Sequence, residues 1–292
     1  MKEITRYSVW KTLEKAREKL FQKRKSILLY NFFAQMTLFS VSLFGLHITA
    51  TWYGLMYAIG FIVCYEYVKR LGYVRRWDMD SLLLYIFIGV VGWWRLGYIL
   101  LYDLPYFLAH PLDIFTLWKW GMSFHGGAIW VILMILLFAH KYRYAIFDIS
   151  DPLVAILPIA LGLGRIGNYL NNELLGYTPY SWPFAMISQW VAHFPSPLFQ
   201  VFLEGIVLLT IMQIYRIYEK RTSRAPGYAS ALFLIGYGIL RIFAEYFRLP
   251  DAHIGYLFGT EWITLGMMYS IPMILLGIWI YRRASIISRK KN

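Results

Sequence analysis

Three arginines of this 292-residue chain, Arg95, Arg165 and Arg241, lie inside long apolar segments. An arginine in the middle of a membrane-spanning helix costs about 2.5–3.5 kcal/mol even on insertion scales, so such residues usually face a bundle interior or a functional cavity. Each of the three is predicted in the half of its segment nearer the outer face of the membrane. The sequence therefore favours a buried site for an anion.

One stretch, GRIGNYLNNELLG at residues 164–176, ends an apolar run with several hydrogen-bonding side chains. Asn168 follows Arg165 by about one helical turn, and Glu173 comes where the chain leaves the apolar segment. This stretch is predicted to lie at the boundary between lipid and water, with Arg165 facing the protein interior.

A second group of polar residues comes from segments that are distant in the sequence. Arg241, Glu245 and Arg248 follow an i, i+4, i+7 spacing, which places them on one face of a helix. Tyr53 opens the first core apolar segment, and His125 opens the third. These segments are predicted to bring cationic and hydrogen-bonding groups to a common depth in the membrane.

Structural roles remain open for several of these residues individually. Arg241 and Glu245 could form an intrahelical pair, and Arg95 could reach the outer headgroups. His125 could be a packed histidine, and Glu204, in the middle of VFLEGIVLL, could be neutral or paired inside the bundle. Three arginines and a histidine at one depth nevertheless lack an obvious matching set of carboxylates, so an anionic ligand is the favoured interpretation.

The composition indicates the kind of element that positions these residues. Hydrophobic residues make up 59% of the chain and charged residues only 15%, whereas a soluble domain carries about 25% charged residues. Seven apolar segments are long enough, at roughly 17–23 residues, to cross a bilayer as helices. We therefore predict an all-α polytopic membrane protein with seven core transmembrane helices, at residues 52–68, 81–102, 125–139, 149–170, 197–215, 227–247 and 261–281.

An eighth and more polar segment, residues 27–48, is predicted to form an extra N-terminal transmembrane helix. The reason is the basic N-terminal arm, whose Lys and Arg residues belong in the cytoplasm by the positive-inside rule. This arm is predicted to be an amphipathic helix that is either solvated or bound to lipid headgroups. The prediction divides the chain into the arm with its extra helix, residues 1–48, and a seven-helix membrane domain, residues 49–292.

The basic residues also predict the orientation of the core helices. Lys and Arg concentrate in residues 69–76, 216–224 and 282–291, which follow alternate segments, whereas none occurs between Ile166 and Tyr215. We therefore predict a cytoplasmic C-terminus and place the arginine site toward the outer leaflet. The net charge of +13 is assigned to contact with the lipid bilayer and not to nucleic acid.

The same stretches resemble a known family. GRIGNYLNNELLG is similar to the signature of the prolipoprotein diacylglyceryl transferases, roughly G-R-x-[GA]-N-F-x-N-x-E-x-x-G, with Tyr169 in place of Phe. Five further motifs occur in the family's order: WYGLMY, RLGY, GMSFHGG, PSPLF with LEG, and RIFAEYFRLPD. Together they cover roughly residues 40 to 280, so the resemblance is specific.

The resemblance implies an enzyme of the bacterial cytoplasmic (inner) membrane that performs the first step of lipoprotein biosynthesis. Its lipid substrate would be phosphatidylglycerol, and its protein substrates would be prolipoprotein signal peptides that carry a lipobox cysteine. The diacylglyceryl group would pass to the cysteine thiol, forming a thioether and releasing glycerol 1-phosphate.

The resemblance also implies roles for individual residues. Arg165 and Arg241 would bind the phosphate, and His125 would accept the proton of the thiol. No metal or cofactor is expected, because the carboxylates are scattered and no closely spaced histidine pair is present. The lipid site would also include Tyr53, Asn168 and Gly176, with Arg95, Glu173, Tyr237, Glu245 and Arg248 in support.

Two alternatives remain open beside the transferase, which is the favoured prediction. The segment FPSPLFQ, residues 194–200, departs from the H-P-S-Q-L-Y-E that is typical of the family. This departure leaves open a non-catalytic relative that binds anionic lipid or signal peptides. A transporter for a phosphorylated solute would also explain buried arginines, but it predicts repeated halves or broken helices, for which the sequence gives no convincing sign.

Overall fold

The computed structural model describes residues 37–43, 46–102, 124–222, 225–250 and 255–291. These residues are mostly helical, as expected for a chain rich in long apolar runs. The elements in chain order are β1 (Thr37–Leu43), β2 (Leu46–Thr51), α1 (Trp52–Leu71), α2 (Arg76–Tyr102), α3 (Phe124–Tyr142), α4 (Ile146–Val154), α5 (Leu157–Leu170), β3 (Met186–Ser188), β4 (Val191–His193), α6 (Ser196–Gln200), a π-helix (Val201–Val207), α7 (Leu208–Thr222), α8 (Tyr228–Glu245), a 3-10 turn (Leu257–Gly259) and α9 (Leu265–Lys291).

The helix predicted over residues 27–48 is wrong for the part that the structure describes. β1 and β2 pair as an antiparallel hairpin whose register runs from Thr37 opposite Thr51 to Leu43 opposite Leu46. Both strands are rich in threonine, serine and β-branched residues, which favour extended backbone over helix. The basic arm and the first ten residues of the predicted helix lie outside the described residues, so the division at residue 48 stays a prediction.

Helices occupy all seven predicted core segments: α1, α2, α3, the pair α4–α5, the run from α6 to α7, α8 and α9. Three stretches in the described part of the chain are long and apolar enough to cross a membrane, namely Ser196–Glu219, Tyr228–Glu245 and Leu265–Ser288. The α4–α5 pair passes the same test as a broken span bent by 51°. The protein is therefore a polytopic membrane protein, and the count of seven spans stays a prediction.

Two prolines account for the bend between α4 and α5. Pro152 lies inside α4, and Pro158 lies at the start of α5. A proline has no N–H to donate and its ring clashes with the preceding turn, so it breaks a helix unless it stands in the first turn. The run predicted as one helix over residues 149–170 is consequently two, and α5 takes a direction of its own.

Two glycines bring α5 against the π-helix. A Cβ added at Gly162 would lie 3.3 Å from the Cα of Gly205, and one added at Gly205 would lie 3.2 Å from the Cα of Gly162. Small residues at such contacts let helix backbones approach closely inside membranes. Because Arg165 follows Gly162 by one turn and Glu204 directly precedes Gly205, this contact brings the two side chains within reach.

Candidate active site

The carboxylate of Glu204 joins two arginines from different helices. Its Oε2 lies 3.0 Å from Nε of Arg165 on α5, and its Oε1 lies 3.1 Å from Nη1 of Arg241 on α8. The side chain of Glu204 is 0% exposed, and those of the arginines are 13% and 11% exposed. One buried acid therefore fixes the guanidinium groups of two helices relative to each other.

Glu204 reaches both arginines from the middle of the π-helix Val201–Val207. A π-helix adds a residue to each hydrogen-bonded turn, and short π segments inside α-helices occur frequently at functional sites. Of the two structural roles left open for Glu204, pairing inside the bundle is the one observed.

A second buried acid, Glu245, extends the chain of charges. Its Oε1 lies 2.6 Å from Nη2 of Arg241 and 3.1 Å from Nη1 of Arg248, and its Oε2 accepts a 2.7 Å hydrogen bond from Thr264. These contacts confirm the prediction that Arg241, Glu245 and Arg248 lie on one face of a helix. We call the five alternating residues Arg165, Glu204, Arg241, Glu245 and Arg248 the ion-pair chain.

The ion-pair chain corrects one step of the sequence argument. The sequence offered no obvious matching set of carboxylates for the buried arginines, and the structure supplies two of them, because Glu204 and Glu245 pair with Arg165 and Arg241. Three arginines and two glutamates still leave one formal positive charge. A buried site with that surplus can bind an anion, since guanidinium groups donate bidentate hydrogen bonds to phosphate and keep their charge when desolvated.

Tyr237 lies beside the centre of the ion-pair chain. Its hydroxyl is within electrostatic range of Glu204 and Arg241 and within hydrogen-bonding reach of Arg165. Its ring stacks on Phe233 with centroids 5.8 Å apart, which holds the hydroxyl in place.

A second polar cluster borders Arg165 where α1 meets α5. The hydroxyls of Tyr53 and Tyr57 lie 3.0 Å apart, and Tyr53 is also within hydrogen-bonding reach of Asn168. Asn168 donates a 2.8 Å hydrogen bond to Glu173. The contact is close because α5 has glycine at position 167, where an added Cβ would lie 2.6 Å from the Tyr53 ring.

Gly176 joins the end of the GRIGNYLNNELLG stretch to the end of α8. It forms an isolated antiparallel bridge with Arg248, and its N–H donates a 3.0 Å hydrogen bond to the Phe194 carbonyl. An added Cβ would lie 2.5 Å from that oxygen and 2.7 Å from the Phe247 carbonyl. Only glycine fits here, so its role in this structure is to let three backbone segments meet beside Arg248.

The family model of the prolipoprotein diacylglyceryl transferases matches residues 24–283 of the chain. The chain belongs to this family. It is 42% identical over 240 residues to the phosphatidylglycerol–prolipoprotein diacylglyceryl transferase of Bordetella parapertussis, covering 79% of this chain and 89% of the relative. The proteins of the same name from Mesorhizobium japonicum and Escherichia fergusonii are 40% and 38% identical, covering 78% and 85% of this chain and 84% and 93% of theirs.

The structure of this transferase family member brings together most of the residues predicted for the site. Glu204, Thr264 and Tyr57 were not among the predicted site residues, although a glutamate in the middle of an apolar span, such as Glu204, is itself a sign of function. The side chains of Arg95 and His125 lie outside the described set, so their roles stay predictions. No three His, Cys, Asp or Glu side chains converge within the described ranges; the expectation of no metal or cofactor stays a prediction. The residues brought together are Tyr53, Arg165, Asn168, Glu173, Gly176, Tyr237, Arg241, Glu245 and Arg248.

Gly266 provides a test of how tightly the ion-pair chain is fixed. An added Cβ there would lie 2.7 Å from Cδ of Glu245 and 2.8 Å from its Oε1, so Gly266→Ala has to displace a carboxylate that three partners hold. We expect the transfer rate to fall about 10- to 100-fold, because displacing a positioning group such as Glu245 by about 1 Å costs about that much. The measurement is the initial rate with phosphatidylglycerol and a prolipoprotein.

Gly236→Ala is the matched control for this substitution. It adds the same methyl group on α8, where the methyl meets only Cδ1 of the buried Leu208, at 3.1 Å. We expect its rate to stay within about twofold of the unsubstituted protein, since the methyl displaces a core side chain and none of the ion-pair chain, even if the added volume lowers the melting temperature. Equal rates for the two variants would contradict a tightly fixed Glu245.

Proposed function

We propose that this protein transfers the diacylglyceryl group of phosphatidylglycerol to the lipobox cysteine of prolipoproteins, and that the ion-pair chain is its phosphate site. The observation that carries the proposal is the Glu204 carboxylate, which holds Arg165 and Arg241 side by side in a buried and net positive site. A chain of this family needs such a site, because its lipid substrate presents a phosphate where the reaction occurs.

The reaction forms a carbon–sulfur bond, breaks a carbon–oxygen bond and moves the thiol proton to a base. The sulfur of the lipobox cysteine attacks the glycerol carbon of the diacylglyceryl group, and the bond from that carbon to the phosphate oxygen breaks. The products are a thioether and glycerol 1-phosphate. Negative charge develops on the leaving phosphate, where Arg165 and Arg241 stabilise it, and a preorganised charge at that position is usually the largest catalytic contribution.

The thiol needs a base because its ordinary pKa, about 8.5, keeps it mostly protonated. His125 is proposed for this role, since an imidazole with an ordinary pKa of about 6.5 accepts a proton near neutral pH. The support for His125 is the family motif GMSFHGG around it.

The second polar cluster is proposed to bind the rest of the headgroup. Tyr53 and Asn168 lie on α1 and α5 beside Arg165, and their hydroxyl and amide groups can form hydrogen bonds with a glycerol hydroxyl. Glu173 orients Asn168 through the 2.8 Å hydrogen bond between them. Glu245, which also pairs with Arg248, holds Arg241 from the other side.

The proposed setting is the bacterial inner membrane, crossed by seven core helices with the C-terminus in the cytoplasm. The support is the concentration of Lys and Arg at one end of the helices, near residues 69–76 and 282–291. The ion-pair chain then lies toward the outer leaflet. Lipid and signal peptide, both membrane-embedded, enter it laterally between helices.

The test is a transfer assay with the full-length protein in phosphatidylglycerol membranes and a lipobox peptide, read out by the intact mass of the peptide. We expect the mass to increase by one diacylglyceryl group, and His125→Ala to reduce the rate about 100-fold or more, within the range for a lost general base. Binding of phosphatidylglycerol without any transfer, under conditions where a relative from Escherichia is active, would instead identify a non-catalytic lipid-binding protein. The FPSPLFQ departure, which ends in the fully buried Gln200, motivates that comparison.

A further inference from the structure

A second positively charged pocket lies at the other end of the helices. It has a volume of about 520 Å³ and is lined by Arg75, Lys141, Tyr142, Arg143 and Tyr144. None of these lining residues is an acid. The pocket is open on one side, so it can admit a group that belongs to a larger molecule. We call it the basic pocket.

The basic pocket is separate from the ion-pair chain. It lies beyond the C-terminal end of α1, at the turns that join α1 to α2 and α3 to α4. Tyr53, beside Arg165, lies at the N-terminal end of the same helix. The 18 residues from Tyr53 to Leu71 span about 27 Å at 1.5 Å per residue, so one substrate headgroup cannot occupy both sites.

Arg75 is held in the pocket by a buried acid. Its Nη2 and its Nε each lie 2.7 Å from Oδ2 of Asp78, and the Tyr144 hydroxyl donates a 2.7 Å hydrogen bond to the same oxygen. The side chain of Asp78 is 6% exposed, whereas that of Arg75 is 53% exposed. The acid therefore fixes Arg75 from behind and leaves its outer edge to solvent.

Arg143 adopts a backbone conformation that is unusual for its type. Its φ is +60°, and the N–H of Tyr144 bonds to the carbonyl of Ala139 at 2.9 Å, which is the hydrogen bond of a Schellman helix end. Glycine is preferred at that position because it has no Cβ to clash. The positive-inside rule needs basic residues only somewhere in the loop, so it does not explain an arginine at this strained position.

Aromatic residues beside the pocket place it at headgroup depth. Trp77 and Tyr73 are 73% and 55% exposed, and the Arg75 guanidinium lies 5.7 Å from the Trp77 ring centroid. Exposed Trp and Tyr rings of membrane proteins concentrate at the level of the lipid headgroups. The pocket therefore meets lipid headgroups and not only the aqueous phase.

We propose that the basic pocket binds the phosphate-bearing headgroup of an anionic phospholipid, in the leaflet opposite to the ion-pair chain. Lys141, Arg143 and the exposed edge of Arg75 supply the charge, while Tyr142 and Tyr144 form a rigid wall. Both tyrosine rings stack on Phe138, with centroid distances of 4.6 Å and 5.8 Å. This lipid is a bound structural partner and not the substrate of the transfer reaction.

The test compares lipid binding by native mass spectrometry of the full-length protein in detergent, titrated with phosphatidylglycerol or with phosphatidylethanolamine. The pocket variant carries Lys141→Gln and Arg143→Gly, because glycine suits the left-handed backbone at residue 143. Arg70→Gln is the control, since it removes a charge from the same end of the bundle at a side chain that is 80% exposed. We expect the affinity of the pocket variant for one phosphatidylglycerol to fall about tenfold, because contacts to the phosphate are lost. The affinity of the control should fall less than about twofold, because it loses only a screened surface charge.

Two further measurements separate the possible causes. The melting temperature of the pocket variant without lipid should be no lower than that of the control, which rules out unfolding. Inorganic phosphate alone should bind the pocket more weakly than phosphatidylglycerol does, because it lacks the membrane-embedded chains. Equal phosphatidylglycerol affinities of the pocket variant and the control, equal binding of phosphatidylethanolamine, or binding of inorganic phosphate as tight as that of the lipid would each overturn the proposal. Arg241→Ala should weaken the binding of a second phosphatidylglycerol molecule, the one at the ion-pair chain. The proposed phosphate site and the basic pocket are therefore tested by separate variants.

Discussion

Replacing Glu204 by glutamine is expected to lower the rate of diacylglyceryl transfer by about 100-fold. Glutamine keeps the shape of the side chain but removes the charge that both Arg165 and Arg241 contact at 3.0 and 3.1 Å. Removing one partner of a buried ion pair costs about 3–5 kcal/mol, because the other partner stays buried without compensation. The two guanidinium groups then repel each other and move out of the arrangement that fits one phosphate.

The assay for this variant is the initial rate of peptide modification at saturating phosphatidylglycerol, together with the melting temperature in detergent. Glu66→Gln is the matched control, since Glu66 is 44% exposed and contacts Lys69 and Arg70 only at 3.9 and 3.8 Å. An exposed pair of that kind contributes about 0–1 kcal/mol, so we expect little change in either measurement. A Glu204→Gln protein as active as the control would show that the carboxylate is not needed to position the arginines.

Replacing Arg241 by lysine is expected to lower kcat/KM for phosphatidylglycerol by about 100-fold, which corresponds to about 2.7 kcal/mol of transition-state stabilisation. The charge is preserved, so the effect isolates geometry. Arg241 uses Nη1 for Glu204 and Nη2 for Glu245, and a lysine ammonium, as a single compact charge, cannot span both acids and still reach a phosphate.

The control for that prediction is Arg283→Lys. The Arg283 guanidinium lies 5.6 Å from the Trp279 ring centroid on the exposed side of α9, so the same chemical change is made away from the ion-pair chain. We expect its kcat/KM to match that of the unsubstituted protein. If lysine at position 241 supported a comparable kcat/KM, bidentate binding by Arg241 would be excluded and a point charge would suffice.

The helices were predictable because bilayer thickness imposes a minimum apolar length, and that length is visible in the sequence. The same criterion failed at residues 37–48. This segment is apolar enough for a marginal membrane span, but it forms a β-hairpin. Thr37, Val41, Ile48 and Thr49 carry the local preference for extended backbone there. The average hydropathy of a segment does not depend on which of its side chains are β-branched. It therefore cannot distinguish a transmembrane helix from a β-hairpin at these residues.

The residues of the ion-pair chain and its local Arg241–Glu245 pair were predictable, whereas the two partners of Glu204 were not. The spacing of Arg241, Glu245 and Arg248 is local and needs only the helical period. The link from Glu204 to Arg165 depends on a tertiary contact, the approach of Gly162 to Gly205. It also depends on a π-helix, which no sequence pattern predicts. In the sequence, the partners of such a long-range ion pair are visible only as charged residues in apolar segments, with no sign of which residues pair.

The ion-pair chain also bears on how the protein is made. Arg165 lies 39 residues before Glu204, which lies 37 residues before Arg241. At about 5–20 residues per second of synthesis, each partner emerges from the ribosome several seconds after the one before it. Until then each charge alone opposes release of its helix into hydrocarbon. The nascent helices are therefore expected to wait beside the translocation channel and to enter the lipid together once α8 has been synthesised.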